Sequence, residues 1–348
     1  MNNLFYIDTS EWEGFVRSLK KDWRVFSPSV KDSAAKETEY YYQGISSYEP
    51  FVYNAYRTVE PLKSFFTPAS EKATDYFTPE KDMADAKKGA VIFGVKSCDI
   101  TGRKVQDFVF LDGVDVDSAY RSRRENTILV SGDCTGFKQV CHCLAWDILP
   151  HPTEGFDLNI SPLNDGYIVE IGSEKGERLL GGHRQHFVAA KDTQIQARRR
   201  ERDGLIERLR RHISPQKLVS RSGVQELVRK GYNADTWKQF MAACVECGGC
   251  NFICDTCHCF LLADKREGLQ NKKVRVWDSC LYANYAAVAG GANPLKTRAQ
   301  RLRNRFMKKF DFFVDNLGMP ACCGCGRCIE VCPGKIDIRE VLSKLSAI

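Results

Sequence analysis

The 348-residue chain is 43% hydrophobic, enough for two domains with sizeable cores, and it carries sixteen cysteines behind a start (MNNLFYIDTSEWEG) that has acids and no signal-peptide pattern. That cysteine load without a leader argues against a secreted disulfide framework and for metal binding in a reducing compartment, so a cytoplasmic protein is expected. The formal charge of +7 comes without a nucleic-acid-binding motif, so no nucleic-acid partner is expected; no stretch is long and apolar enough to span a bilayer, the longest candidate, 281–292, being short and rich in Ala, Gly and Tyr.

Residues 1–235 read as a mixed α/β domain. The run 89–95 (GAVIFGV) is a continuous apolar strand of the kind covered on both faces of a sheet. A helix is expected over 101–110, a polar helix at 120–125, a second buried strand at 127–131, and a third at 166–171 after the Asn164-Asp165-Gly166 turn. An amphipathic helix over 194–213 leads out. Cys98 falls just past the first buried strand, Cys134 just past the second, and Cys141 and Cys143 follow as a CxC pair. Sites in open α/β sheets form outside the carboxyl ends of strands, so these four thiols are a candidate third iron-sulfur site; scattered, buried free cysteines are the competing reading. His142, between two of them, reads as a surface or hydrogen-bonding histidine.

Residues 236–348 read as a cluster domain. Cys244, Cys247, Cys250 and Cys254, then Cys322, Cys325, Cys328 and Cys332, are each spaced CxxCxxCxxxC. A chain turning tightly through CxxCxxC reaches three corners of a cubane cluster, and the fourth ligand comes from elsewhere. In two-cluster ferredoxins the last cysteine of each run ligates the other cluster. Carried onto this sequence, one 4Fe-4S cluster takes Cys244, Cys247, Cys250 and Cys332 and the other takes Cys322, Cys325, Cys328 and Cys254. Zinc, which favours two separated pairs around one ion, fits two full runs poorly. Gly248, Gly249, Gly324 and Gly326 let backbone amides approach the sulfurs, which raises the reduction potential, and Pro333 follows the last cysteine. The first run has Asp255 where a proline is usual, an acid that lowers the local potential or, as the preferred reading, caps a following helix.

The long insertion between the runs suggests helices at 279–289 and 294–313, which favours an α-helical ferredoxin over the small βαββαβ type. Of the remaining cysteines, Cys257 and Cys259 lie close enough to the first run to line its cavity, Cys280 lies near Trp277, and Cys323 reads as a small apolar residue. With two clusters at roughly −2 each, the net charge falls to about +3. Its densest patches, 198–211 and 296–309, read as solvated helix faces, with docking of an acidic partner as the other reading.

The ordered set GVKSCDITG, YRSRRENTILVSGDC with CHC downstream, CVECGGCNFIC with TCHCF, VWDSC, AGGANP, RAQRLRNRF and CGCGRCIEVCPGKIDI resembles the family of iron-sulfur electron-transfer subunits shared by sulfhydrogenase, where it is the beta subunit, and by anaerobic sulfite reductase. The resemblance covers about residues 85–345. It implies a chain that passes electrons between a flavin- and NAD(P)-binding partner and a catalytic hydrogenase or reductase partner. After the CxC pair, Leu144, Ala145, Trp146 and Asp147 replace the family's usual continuation, which leaves the identity of the catalytic partner open. The chain has no GxGxxG after a strand and no GxxxxGK[ST] loop, so flavin is expected on a partner and this chain is expected to be a conductor. The alternative is an enzyme that itself reduces a disulfide or sulfur compound near Cys257, Cys259 or Cys280.

Overall fold

The computed structural model describes residues 3–31, 37–45, 50–75, 88–268 and 270–347. The strands are β1 (Leu4–Asp8), β2 (Arg24–Val30), β3 (Tyr40–Gly44), β4 (Ser70–Asp75), β5 (Ala90–Val95), β6 (Thr127–Gly132), β7 (Leu158–Pro162), β8 (Gly166–Ile171), β9 (Val188–Ala189), β10 (Phe260–Glu267) and β11 (Gln270–Trp277). Eight of them form one mixed sheet in the order β3-β2-β5-β6-β7-β8-β1-β9. Its centre, β2-β5-β6-β7, is parallel, and antiparallel pairs flank it on both sides.

The continuous apolar run of β5 is explained by cover on both faces. Val91 and Phe93 pack toward Trp12, Phe15 and Leu19 of the helix Thr9–Leu19, while Ala90, Ile92 and Val95 pack toward Ile100, Phe110 and Tyr120 on the other side. With both faces apolar, alternation disappears. The expected helix at 101–110 starts earlier, at Ser97, directly after β5, and the helix expected at 194–213 is Asp192–Ile213. At the end of β5 the ladder to β6 shifts between Phe93 and Val95, where Gly94 has φ +75°. A Cβ there would sit 2.3 Å from Pro28 Cγ, so only glycine makes this bulge, which turns the chain into Lys96-Ser97-Cys98.

The insertion between the cysteine runs departs from expectation. β10 and β11 pair antiparallel as a hairpin, and β11 pairs on its far side with β4 from the first half of the chain. The stretch 279–289 is a series of turns, not a helix; two consecutive glycines with positive φ, Gly290 and Gly291, end it. The expected helix at 294–313 forms as Arg298–Met307, capped by Thr297 and Gln300, then a π-helical turn Lys308–Phe312 and a short helix Phe313–Leu317. A second hydrophobic core joins Val224, Val228, Trp237, Met241, Leu302, Phe306, Phe310, Val341 and Leu342 with Trp146 and Ile148. Residues on either side of position 235 therefore share one core.

Candidate metal centres

The two runs repeat one local geometry. In each, the residue after the second cysteine, Gly248 or Gly326, is left-handed at φ +73° or +72° and opens a short helix, Gly249–Phe252 or Arg327–Glu330, that carries the third cysteine. These two helices pack against each other. The backbone N–H of Glu246 donates to Cys244 Sγ at 3.4 Å and that of Ile336 to Cys332 Sγ at 3.4 Å.

Cys244, Cys247, Cys250 and Cys332 line one cavity of about 560 Å³, together with Leu281, Leu302 and Phe306. Cys254, Cys322, Cys325 and Cys328 line a second of about 370 Å³, with Cys323 and His142 in its wall. The first run supplies Cys244, Cys247 and Cys250 to the first cavity and Cys254 to the second, the second run supplies Cys332 to the first and Cys322 and Cys325 to the second, and Cys328, Arg305 and Ile338 border both. Among the described residues no group of three or more His, Cys, Asp or Glu side chains is placed to hold a single metal ion; the thiols surround spaces.

Around these thiols lie three buried cations, two of which, Lys309 and Arg305, have no ion-pair carboxylate among the described residues, while Lys63 lies near Asp255. Lys309, 4% exposed, donates to Cys254 Sγ at 3.4 Å, Thr256 Oγ1 at 2.7 Å and the Ala321 carbonyl at 3.0 Å. Arg305, 5% exposed, donates to Asn251 Oδ1 at 3.2 Å and the Cys250 carbonyl at 3.4 Å. Lys63 donates to the carbonyls of Asn251 and Cys257 at 3.0 and 2.9 Å. Burial works against the charge of Arg305 and Lys309, and the neighbouring thiols, Cys250 and Cys328 for one and Cys254 and Cys257 for the other, more than offset it. Burial pushes the thiols of Cys250 and Cys322 up to about 11 and Cys325 up to about 12. Buried cations need a buried anion, and thiolates held by a metal centre supply one. The donor set therefore fits iron-sulfur clusters.

Cys98, Cys134, Cys141 and Cys143 also come together. Cys134 interacts electrostatically with Cys98, Cys141 and Cys143, and all four thiols are pushed up by burial, Cys134 to about 12. Lys96, fully buried, sits beside Cys134 and Cys98; it donates to the Asp133 carbonyl at 3.0 Å and lies 4.6 Å from the Tyr53 ring centre. This group abuts the second cavity. His142 N–H donates to the Gly324 carbonyl at 2.8 Å, a Cβ on Gly324 would meet Cys143 Cα at 2.5 Å, and Cys98 feels Cys325. His142 is no surface residue: it is 1% exposed, its Nδ1 donates to the Val140 carbonyl at 3.0 Å, and its Nε2 has no hydrogen-bond partner among the described residues. Burial pushes it down to about 4.

Asp255 is not a helix cap. It is 3% exposed, and its Oδ2 lies 2.7 Å from Arg327 Nη1, which also meets Asp99 Oδ1 at 2.7 Å. No helix follows it before β10, and Lys63 N–H donates to its other oxygen at 3.1 Å. This buried Arg327 joins the segment after Cys98, the segment after Cys254 and the interval between Cys325 and Cys328.

The basic stretch 296–309 is not simply a solvated face either: Arg301, Arg305 and Lys309 recur every fourth residue and are all buried. They share their stripe with Leu302, Phe306 and Phe310, a pattern that was readable as an apolar face with charged residues on it. Cys257 and Cys259 line neither cavity; Cys257 instead hydrogen-bonds Cys254.

Comparison with known proteins agrees with this geometry. Residues 243–336 match a 4Fe-4S dicluster domain. Over 334 residues, 95% of both chains, the sequence is 29% identical to the beta subunit of sulfhydrogenase 2 from Pyrococcus furiosus. Among the described residues no helix is long and apolar enough to cross a membrane.

Proposed function

We propose that the chain, which is similar to a sulfhydrogenase beta subunit and carries a match to a 4Fe-4S dicluster domain, is the conducting subunit of an anaerobic oxidoreductase complex, relaying electrons between a flavin- or NAD(P)-binding partner and a catalytic reductase or hydrogenase partner. The observation that carries this reading is the pair of adjoining cavities, each lined by cysteines drawn from both runs, with the buried Arg305 bordering both and the buried Lys309 bordering the second.

In this reading Cys244, Cys247, Cys250 and Cys332 hold one 4Fe-4S cluster, Cys322, Cys325, Cys328 and Cys254 hold the second, and Cys98, Cys134, Cys141 and Cys143 hold a third iron-sulfur cluster. When bound, such clusters take up and release single electrons. The protein's share is arrangement. The third group abuts the second cavity through Gly324, the second cavity shares Cys328 with the first, and the first opens to solvent at Cys247. Arg305, Lys309 and Lys96 offset negative charge, while the Leu302, Phe306 and Phe310 side keeps water away. A cytoplasmic location and a hetero-oligomer follow from the same reading, with the catalytic chemistry on another chain.

Iron and acid-labile sulfide analysis of the anaerobically reconstituted chain tests the number of centres: three clusters are expected, and Cys98→Ser lowers the count by one. A wild-type content of only eight irons per chain that Cys98→Ser leaves unchanged removes the third. Reduction of the chain only when a flavoprotein partner is added supports the relay; turnover of a substrate by the isolated chain with a chemical reductant overturns it as the sole role.

A further inference from the structure

Cys259 and Cys280 stand apart from all three thiol groups. Cys259 immediately precedes β10, Cys280 follows β11 by three residues, and the hairpin ladder continues beyond Phe260 and Trp277 with the Asp278 N–H donating to the Cys259 carbonyl at 3.0 Å. The hairpin itself therefore brings the two thiols together, and they hydrogen-bond each other. Cys280 is 3% exposed, whereas Cys259 is partly open to solvent beside the exposed Phe260, Leu261 and Leu262.

Their surroundings are unequal. Tyr285 OH donates to Cys259 Sγ at 3.4 Å, and Lys308 Nζ reaches that hydroxyl at 3.3 Å. Asn251 Nδ2 donates to Cys280 Sγ at 3.1 Å, while its Oδ1 accepts from the Cys250 thiol at 3.6 Å. One buried side chain thus separates Cys280 from a cysteine of the first cavity. The hydrogen bond from Cys280, with those of Tyr285 and the charge of Lys308, holds Cys259 down at about 5 against burial, and the same pairing raises Cys280. An accessible thiolate next to a buried thiol is the arrangement of an attacking and a resolving cysteine.

We propose that Cys259 and Cys280 are a redox-active dithiol that reduces a disulfide-class substrate by thiol–disulfide exchange. Cys259 Sγ attacks one sulfur of the substrate, the substrate S–S bond breaks, and the departing thiolate takes a proton. Cys280 then gives up its proton and attacks Cys259 Sγ, releasing the second thiolate, which takes that proton. The substrate leaves as two thiols, and the pair, oxidised by two electrons, is joined as a disulfide. Its return to the dithiol takes two electrons and two protons; this return, with the clusters as the electron source, rests on the function proposed above, whereas the exchange itself does not.

Anaerobic incubation of the reconstituted full chain with glutathione disulfide, followed by alkylation and peptide mapping, tests the exchange. The expected result is a Cys259–Cys280 disulfide with two glutathione thiols released per chain. Cys280→Ser accumulates a Cys259–glutathione adduct, Cys259→Ser gives neither product, and both variants keep the iron content and visible absorbance of the parent. A wild-type chain with full iron and no bond between these cysteines overturns the proposal and leaves the electron relay standing. Loss of iron in both Cys280→Ser and Cys280→Ala overturns it in favour of a ligand role. A chain that holds no iron and still forms the bond sinks the relay and keeps the exchange.

Discussion

At the second residue after its leading cysteine the first run has Glu246 at φ +57° and the second has Gly324 at φ +63°. The backbone demands are the same, but the surroundings differ. A Cβ at Gly324 would collide with the Cys143 backbone, whereas Glu246 lies near the surface and pairs with Arg301. The contrast runs through both cavities. Cys247 is exposed, with Val245 65% and Val331 39% exposed beside it, while Cys322 is 8% exposed and lies against the CxC loop. In the proposed relay, one turn geometry serves two tasks: a centre at the surface suited to exchange with another protein, and a centre between two other thiol groups suited to passing charge inward.

The contrast is disturbed most by removing a shared ligand. Cys332→Ser abolishes the centre of the exposed cavity, although Cys332 belongs to the other run; EPR of the reduced variant checks this, and loss confined to the Cys322 centre refutes the crossed assignment. Arg327→Met leaves the buried Asp99 and Asp255 carboxyl groups without their guanidinium partner, and the expected cost is about 3–5 kcal/mol in denaturant unfolding. A variant as stable as the parent shows that the two halves are not tied there.

Gly324→Ala probes the asymmetry directly. A left-handed alanine costs about 1–2 kcal/mol, and the clash with Cys143 adds about 1–3 kcal/mol of overpacking. Glu246→Ala, at the matching position, meets no backbone clash and leaves the buried Arg301 its acceptors on the Leu281, Leu295 and Lys296 carbonyls, so a smaller loss of about 1–3 kcal/mol is expected; equal losses of melting stability for the two erase the distinction. The weakest effect is electrostatic. Lys309→Met removes the cation on Cys254 Sγ, so the potential of the enclosed centre falls by on the order of 60 mV, the one-electron equivalent of a tenfold change, while that of the exposed centre shifts less. Redox titration followed by EPR reads both.

The gathering of the thiols was legible because their spacing acts locally. The CxxCxxCxxxC spacing and the glycines after the second cysteines act within one turn of chain, and the structure sets all eight of those thiols around two cavities. The buried strands of the first half were legible as unbroken apolar runs. The hairpin at 260–277 was not, because its sequence, FLLADKRE and QNKKVRVW, is charged and partly exposed, and it is held by pairing with β4 from far away in the chain. Arg301, Arg305 and Lys309 misled in the same way: a basic helix signals solvent unless the groups that compensate it, Glu246 for the first and buried thiols for the other two, are known.

Residue order alone carries the number and spacing of the two runs, the positive-φ glycines within them and the doubly covered strands that deliver Cys98 and Cys134, since each depends on residues within a few positions. Packing had to settle which run is enclosed, that Asp255 joins Arg327 and Asp99 where a cap was expected, that cations line the cavities, and that Cys259 meets Cys280. Charges here are compensated between residues as far apart in the chain as Asp255 and Arg327, or Asp99 and Arg327, and burial is a property of the packed chain that no local pattern carries.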